Sequence, residues 1–384
     1  MPALDTFAAE KLARLDHKHL RRRLAETDRH GGIWVERGGR RLLSFSCNDY
    51  LNLSQHPAVK DAAMAAIRAH GVGAGASRLV TGNHPLFAAL ESRLAALKGT
   101  AAACVFGSGY LANVGIIPTF ATKTDLVLVD ELAHSCVWAG AEMSGATVAA
   151  FRHNDVDDAR AILNAQRAAH RHALIATDGV FSMDGDLALL PALARLAEDY
   201  DAWLLSDDAH GIGVVGGGRG STHAHGEPVA VPLQMGTLSK AVGGYGGYLC
   251  ASQPVIDLVK TKAASFVYST GLPPASVAGA IAALDFIAAN PDHVARPLAN
   301  ARAFTRALNL PEAQSPIVPI VIGAADKALA ASRDLEEKGF LVVAIRPPTV
   351  PKDTARLRVA FTADHTGDHI RRLADAVAPY MARG

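Results

Sequence analysis

Lys240 stands between the apolar segment VPLQMGTLS and the glycine-rich segment AVGGYGGY, where its charge has no evident partner. Because burial disfavours the protonated form, small and apolar neighbours lower the pKa of a lysine. A neutral amine is a nucleophile that forms Schiff bases with carbonyl compounds. The segment therefore predicts covalent chemistry at Lys240.

Two further segments carry polar groups that would suit a ligand. SDDAH (206–210) follows an apolar run, and burying its acids costs free energy unless they are paired. The simple alternative is a carboxylate that caps the next turn. In GSGYLAN (107–113), two glycines and a helix start leave backbone N–H groups free to bind phosphate. Alone, this segment is equally well explained as an ordinary strand–helix turn.

Together these segments fit one cofactor. Pyridoxal phosphate requires a phosphate site, an acid such as Asp207, a lysine such as Lys240 and a histidine that lies over its ring. The acid keeps the pyridine nitrogen protonated, so that the ring acts as an electron sink. The sequence therefore predicts pyridoxal phosphate as the cofactor.

Two other patterns favour different functions and are rejected. GIGVVG (211–216) matches the G-x-G-x-x-G fingerprint of a nicotinamide dehydrogenase. However, GGRGSTHAHGEP follows it in place of an amphipathic helix, and the required acidic residue about 20 positions on is missing. A glycine-rich flap is the better interpretation. No metal site is predicted either, because four histidines lack a second cluster of ligands: His170, His172, His223 and His225.

Alternating elements must position these groups. Short apolar runs that do not alternate with polar residues predict strands buried on both faces of a mostly parallel sheet, with helices on both sides. The runs are 101–106, 125–130, 146–151, 172–177 and 202–207, and helices are expected at 3–26, 57–70 and 84–98. The polar segments follow such strands, where open α/β sheets bind ligands.

The pattern of predicted helices and strands changes after about residue 285, where prolines become frequent. Strands at 317–323, 341–346 and 356–362, with helices at 326–338 and the C-terminus, predict a smaller α+β region. We therefore expect an N-terminal helical arm and short strand (1–45), a large cofactor-binding α/β domain (46–285) and a small C-terminal domain (286–384).

Composition narrows the class of protein. The 384 residues are 49% hydrophobic and 20% charged with a net charge of +1, which indicates a globular protein without a nucleic-acid or membrane surface. No apolar run is long enough to span a bilayer. Four scattered cysteines indicate neither disulfides nor a zinc knuckle. Without a targeting segment, a cytoplasmic location is expected.

Several motifs resemble the α-oxoamine synthases, fold-type I pyridoxal-phosphate enzymes that condense an amino acid with an acyl thioester and release CO2. The motifs are LAHSCV, DGVFSMDGD, DDAHGIG and GTLSK, together with SCNDYLNLSQHP (46–57) and GVGAGASRLVTGNHPLFAALE (71–91). The resemblance covers nearly the whole chain from about Arg21. The sequence departs from the family pattern at Asp178, where relatives often have Glu. It also has TLSKA where relatives more commonly have TFGKG.

The resemblance implies roles for individual residues. Lys240 would hold the cofactor and move the Cα proton, Asp207 would pair with the pyridinium nitrogen, and His134 would stack on the ring. His210 and Ser182 would lie near the phenolic oxygen. Phosphate ligands would be the backbone of Gly109 and Tyr110, the hydroxyl of Thr237, and Thr270 from the neighbouring subunit of an obligate homodimer. Substrate-binding residues would be Arg346 for the amino-acid carboxylate, Asn48, Thr349, and Arg21 for the distal carboxylate of the acyl chain.

The segment AIRPPTVPKDTARLRVAFTADHT (344–366) resembles the family branch of biotin biosynthesis. That branch condenses L-alanine with pimeloyl-CoA or pimeloyl-acyl carrier protein. Glycine-using relatives, such as 5-aminolevulinate synthase and 2-amino-3-ketobutyrate CoA ligase, usually have a Tyr-Pro pair here and remain the nearest alternative. A non-catalytic scaffold would have to keep every reactive group without a reason.

Overall fold

The computed structural model describes residues 3–18, 20–29 and 31–381. The α-helices are α1 (Ala3–His17), α2 (Pro57–His70), α3 (Leu86–Lys98), α4 (Gly109–Phe120), α5 (Ser135–Ser144), α6 (Val156–Gln166), α7 (Leu190–Asp199), α8 (Gln253–Lys262), α9 (Ala264–Val267), α10 (Pro274–Ala289), α11 (Pro291–Ala307), α12 (Ala325–Glu337) and α13 (Gly367–Val377). The strands are β1 (Trp34–Arg37), β2 (Arg40–Ser44), β3 (Ala102–Phe106), β4 (Leu126–Asp130), β5 (Thr147–Phe151), β6 (Ala173–Asp178), β7 (Trp203–Asp207), β8 (Leu233–Thr237), β9 (Gly247–Ala251), β10 (Ile317–Gly323), β11 (Phe340–Leu341), β12 (Val343–Ile345) and β13 (Ala355–Ala360).

A seven-stranded sheet forms the centre, in the order β3-β9-β8-β7-β6-β4-β5. Neighbouring strands from β8 to β5 run parallel, whereas β9 is antiparallel to both β3 and β8. This confirms the predicted α/β class with a mostly parallel sheet. Strand β9 was not predicted, because glycine-rich sequence precedes it and masks its short apolar run.

Both faces of this sheet are covered, as the unbroken apolar runs require. Along β3, Val105 belongs to one buried cluster and Cys104 to another, because successive side chains point to opposite faces. Helices α2, α3 and α10 pack on the first side, and α4, α5 and α8 on the second. The buried polar residues Asp130, Asp178 and Asp207 lie at the carboxyl ends of the parallel strands, and the polar segments follow there.

The C-terminal part forms a second, antiparallel sheet in the order β10-β13-β12, packed against α11, α12 and α13. The N-terminal strands β1 and β2 form a third sheet with β11 and share the same buried cluster through Leu43 and Phe45. Helix α10 crosses the expected boundary at residue 285 and ends at Ala289. The division at residues 45 and 285 stays a prediction.

Two predicted elements differ from the structure. The helix expected over 3–26 ends at His17, and none of its residues is buried, because no described part of the chain covers its apolar side chains. The strand expected over 341–346 is divided between two sheets: β11 pairs with β2, and β12 pairs with β13. None of the helices in the described part of the chain is long and apolar enough to cross a membrane.

A buried ion pair fixes the chain immediately after β7. Lys98 Nζ, at the end of α3, donates to Asp208 Oδ2 at 2.6 Å and to the carbonyl of Arg219 at 2.7 Å. The Lys98 and Asp208 side chains are 0% and 1% exposed. Gly220 lies against this pair at φ +98°, where an added Cβ would be 1.7 Å from Asp208 Oδ2. The pair therefore anchors the turn that carries Asp207.

Replacing Lys98 by methionine should leave the Asp208 carboxylate buried without its cation. We expect a loss of about 3–5 kcal/mol in the free energy of unfolding, measured by urea denaturation. The matched control is Lys338→Met, which removes an exposed pair with Asp334 and should cost less than about 1 kcal/mol. Equal losses in the two variants would contradict the anchoring role of Lys98.

Candidate active site

A cavity of about 190 Å³ lies at the carboxyl ends of the central strands. It brings together seven residues that the sequence predicted for one site: Gly109, Tyr110, His134, Asp207, His210, Thr237 and Lys240. Cys136, Asp178 and Met235 also line it. Because these residues follow four different strands, the parallel sheet is what gathers them.

Lys240 lies in the connection between β8 and β9. Among the described residues, no hydrogen bond or ion pair holds its amine, although the carboxylates of Asp207 and Asp178 are near enough to act on it electrostatically. Burial lowers the pKa of Lys240 to about 8, assisted by the charge of Arg358 and opposed by the two carboxylates. The predicted neutral amine is therefore available at moderate pH.

The Asp207 carboxylate ends β7 and is held through both oxygens. Asn113 Nδ2, on α4, donates to Oδ2 at 2.7 Å, and the Ala209 N–H donates to Oδ1 at 2.9 Å. These contacts fix the carboxylate in the cavity without neutralising its charge. A fixed buried anion suits the protonated ring nitrogen of a pyridine.

His134 and Asp178 line the same cavity as Lys240. The His134 N–H donates to Asp178 Oδ1 at 3.1 Å, and the His134 ring caps α5. Burial lowers the pKa of His134, so its imidazole is neutral near pH 7. Burial, together with the charge of Asp207, raises the pKa of Asp178 well above its usual value.

His210 is held by a network that the sequence did not predict. Arg358, on β13, donates from Nη2 to the Tyr50 hydroxyl at 3.3 Å, and the Tyr50 oxygen is 2.7 Å from His210 Nδ1. Because an arginine only donates, the Tyr50 oxygen accepts from Arg358, and the Tyr50 hydrogen has two acceptors within reach: His210 Nδ1 and, at 3.4 Å, Asn48 Oδ1. Burial lowers the pKa of His210 well below its usual value, which keeps this ring neutral.

The same arginine contacts two predicted residues. Arg358 Nη1 donates to Asn48 Oδ1 at 3.0 Å, and Nε donates to the carbonyl of Ser182 at 2.6 Å. Tyr50 and Arg358 are more than 300 positions apart in sequence. Both lie in segments that resemble the family, SCNDYLNLSQHP and 344–366, but only their contact in the folded chain identifies them as partners at this site.

The start of α4 fits a phosphate group. Ser108 caps the helix by accepting from the Leu111 N–H at 3.2 Å, while the N–H groups of Gly109 and Tyr110 have no acceptor among the described residues. An added Cβ at Gly109 would be 3.3 Å from the Thr237 side chain, so a glycine keeps this corner open. The Thr237 hydroxyl donates to the Gly246 carbonyl at 2.7 Å. With the unpartnered amine and the fixed carboxylate, this corner fits pyridoxal phosphate.

A second cavity of about 560 Å³ adjoins the first and shares His134 with it. Ser182 and Thr349 line the second cavity, and Arg22 Nη2 donates to Thr349 Oγ1 at 2.9 Å. Arg21 lines neither cavity; its Nη1 donates to Asp16 at 2.6 Å on the surface. Arg22 was not predicted, because adjacent arginines in the run LRRR cannot be told apart by sequence.

Three other predicted residues lie outside both cavities: Asn48, Thr270 and Arg346. Thr270 lines a separate, small cavity with Arg78 and forms a β-bridge with Ser77. Arg346 follows β12 directly and is partly buried. GIGVVG is followed by short 3-10 turns at Gly216–Gly218 and Ser221–His223 instead of an α-helix, which removes the support for a dinucleotide site.

A family model and several curated proteins match most of this chain. The family model "Aminotransferase class I and II" matches residues 40–377. The 8-amino-7-oxononanoate synthase of Beijerinckia indica subsp. indica is 62% identical over 381 residues, covering 99% of each chain. That of Methylocella silvestris is 66% identical over 343 residues, covering 89% of this chain and 98% of its own.

Two solved structures share the fold of this chain. Serine palmitoyltransferase from S. paucimobilis, with a bound PLP–myriocin aldimine, superposes with a TM-score of 0.91 at 26% identity, covering 99% of this chain and 98% of its own. The 8-amino-7-oxononanoate synthase of Francisella tularensis gives 0.76 at 25% identity, covering 88% and 97%. The chain therefore belongs to the class I and II aminotransferase family, with the fold of type I pyridoxal-phosphate transferases. Within that family it belongs with the 8-amino-7-oxononanoate synthases.

The lowered pKa of Lys240 predicts a pH dependence for cofactor capture. With a pKa of about 8, about a tenth of the amine is neutral at pH 7, and the neutral fraction rises as the pH passes 8. The rate at which cofactor-free protein takes up pyridoxal phosphate should therefore rise with a midpoint near pH 8, followed by borohydride trapping and mass spectrometry. Asp207→Asn removes a charge that raises this pKa, so its midpoint should lie lower. An unchanged midpoint near 10.5 in both proteins would contradict this account.

Proposed function

We propose that the chain catalyses the pyridoxal-phosphate-dependent condensation of L-alanine with a pimeloyl thioester, releasing CO2 and the thiol carrier, to form 8-amino-7-oxononanoate in biotin biosynthesis. The observation that carries the proposal is the unpartnered Lys240 amine, with a pKa of about 8, in one cavity with Asp207 and His134. The relatives of this name, at 62% and 66% identity, support the choice of reaction.

The cofactor would be held by groups that already converge. Lys240 would bond to its aldehyde, and Asp207 would keep its ring nitrogen protonated. The N–H groups of Gly109 and Tyr110 would bind its phosphate together with Thr237. When bound, the cofactor withdraws electrons from the Cα atom of the amino acid and so makes the Cα proton acidic.

The chain's own groups then handle the protons. In its neutral form, the Lys240 amine would take the Cα proton of the bound alanine as a general base. The same group returns a proton after CO2 has left. Tyr50 lies against Nδ1 of His210, so Nε2 is the ring nitrogen that would donate to the phenolic oxygen of the cofactor. Ser182 would contribute near the same oxygen.

The two substrates would enter from the second cavity. Arg346 would bind the alanine carboxylate, with Asn48 close to it. The acyl chain would lie in the 560 Å³ cavity, whose shared residue, His134, connects it to the cofactor. In the lining of this cavity Arg22 is held by Thr349, and Asp184, which also lines it, is paired with Arg356 instead. We therefore propose Arg22 as a ligand of the distal carboxylate, beside the sequence-based candidate Arg21.

We further propose a homodimer with shared sites. Two tyrosines stay exposed in the single chain: Tyr110, which lines the cofactor cavity, at 51%, and Tyr268, two residues before Thr270, at 86%. Thr270 lies outside the cofactor cavity of its own chain, as expected for a residue that serves the neighbouring subunit. Light scattering should give twice the 40.2 kDa of one chain, and a mass of one chain at micromolar concentration would refute the dimer.

A cytoplasmic location is also proposed. All four cysteines are free, including Cys136 in the cofactor cavity, which suits a reducing compartment. Cell fractionation that recovers the enzyme with a periplasmic marker would exclude this location.

One assay tests the reaction. Purified protein with pyridoxal phosphate, L-alanine and pimeloyl-CoA should release CO2 and give a product with the mass of 8-amino-7-oxononanoate, and Lys240→Ala should give none. Parallel reactions with glycine and either acetyl-CoA or succinyl-CoA test the glycine-using alternative. Faster turnover in those reactions would contradict the alanine assignment. A parallel reaction with pimeloyl-acyl carrier protein in place of pimeloyl-CoA identifies the natural thiol carrier.

A pair of adjacent variants tests the acyl site. Arg22→Ala should raise the KM for pimeloyl-CoA by about 10–100-fold, because a hydrogen-bonded charge contributes about 1.5–3 kcal/mol, while the KM for alanine changes little. Arg21→Ala, which breaks only the surface pair with Asp16, is the matched control and should change the KM by less than about threefold. The opposite ranking would assign the carboxylate to Arg21.

A further inference from the structure

A chain of hydrogen bonds connects the Asp207 carboxylate and the His134 imidazole, which both line the cofactor cavity. Asn113 Nδ2 donates to Asp207 Oδ2 at 2.7 Å and to Cys136 Sγ at 3.1 Å. Cys136 Sγ is in turn 2.8 Å from His134 Nδ1. The residues come from the end of β7, from α4 and from the start of α5. We propose that Cys136 is a positioning residue: with Asn113, it sets His134 relative to Asp207 and fixes the proton of His134 on Nε2.

The direction of each hydrogen bond follows from the donors. The backbone N–H of Cys136 lies 3.2 Å from His134 Nδ1. Because a backbone N–H can only donate a hydrogen bond, Nδ1 must be the acceptor. The ring therefore carries its proton on Nε2. The thiol accepts from Asn113 and must donate its own hydrogen to Nδ1. Burial raises the pKa of the Cys136 thiol, which keeps that hydrogen in place.

The hydrogen bonds of the Asn113 amide support a role for this network beyond the stability of the fold. Both hydrogens of its amide are used, one on Asp207 and one on Cys136, while its Oδ1 is buried without a partner among the described residues. A flipped amide would place Oδ1 against the Asp207 carboxylate. An unpaired buried oxygen is destabilising, so the two contacts that Nδ2 makes outweigh this loss in the folded chain.

The consequence concerns the free side of the His134 ring. Nε2 has no partner among the described residues, and His134 lines both the cofactor cavity and the acyl cavity. With the proton fixed there, His134 presents a hydrogen-bond donor, and only a donor, to a carbonyl or carboxylate oxygen of a substrate. This last step rests on the proposed function, whereas the position of the proton does not.

Cys136 offers a clean set of variants. Cys136→Ser keeps a group that both accepts and donates, and Cys136→Ala keeps neither. Cys104→Ala is the matched control, because Cys104 is buried in the same apolar cluster and makes no hydrogen bond among the described residues. All three remove a buried sulfur, so any effect of the cavity alone should appear in each of them.

The first measurement uses the full chain without substrate. Imidazole 15N resonances of His134 should show protonated Nε2 and unprotonated Nδ1 in the wild type. Cys136→Ala should raise the pKa of His134, because it removes a donor to the neutral ring, and Cys136→Ser should restore the wild-type value. An unchanged His134 titration in Cys136→Ala, or a proton on Nδ1 in the wild type, would overturn the proposal whatever the enzyme's substrates are.

The second measurement uses the holoenzyme. Cys136→Ala should lower kcat with L-alanine and pimeloyl-CoA by about 5–20-fold with little change in KM, whereas Cys136→Ser and Cys104→Ala should stay within about twofold of the wild type. A loss of kcat in Cys104→Ala equal to that in Cys136→Ala would show that packing alone is responsible and would overturn the positioning role. A wild type inactive on these substrates would count against the proposed function and leave the His134 titration as the test of Cys136.

Discussion

The amine of Lys240 is buried close to two carboxylates and in contact with neither, and the chemistry of the site depends on that separation. A direct ion pair would stabilise the ammonium form and remove the nucleophile. Here desolvation outweighs the attraction of Asp207 and Asp178, and the pKa of Lys240 falls to about 8. Asp207 is held in place by Asn113 and the Ala209 N–H, so its charge stays directed at the cavity while the amine remains reactive.

The position of the Asp207 carboxylate also depends on the contacts of the residue that follows it. Asp207 and Asp208 are consecutive, so one faces the cavity while the other pairs with Lys98 in the core. On the other side of the cavity, Arg358 joins β13 of the C-terminal sheet to Asn48, Tyr50 and, through Tyr50, His210. The site is therefore built between the large sheet and the C-terminal region, and each contributes fixed charges to it.

Sequence predicted the parts of this arrangement that depend on local pattern. Unbroken apolar runs identified most strands of the central sheet, and the segments after them supplied Lys240, Asp207 and the start of α4. The family resemblance added His134 and His210, and the relatives found by comparison confirm that family. Residues that depend on distant contacts were missed: Tyr50, Asn113 and Arg358 meet the site only because separate elements pack together. The choice between Arg21 and Arg22 depends on side-chain direction, which periodicity does not determine. Helix α1 was predicted too long, since its apolar residues find nothing to pack against in the part of the chain that the structure describes.

The central claim is that one amine, that of Lys240, forms the covalent bond to the cofactor. Reducing the purified holoenzyme with borohydride, digesting it and locating the pyridoxyl group by peptide mass spectrometry tests this directly. The account predicts the modification on the peptide that contains Lys240, at close to one group per chain, and none on the peptide that contains Lys98. A modification located on any other lysine, or no retained cofactor, would contradict it.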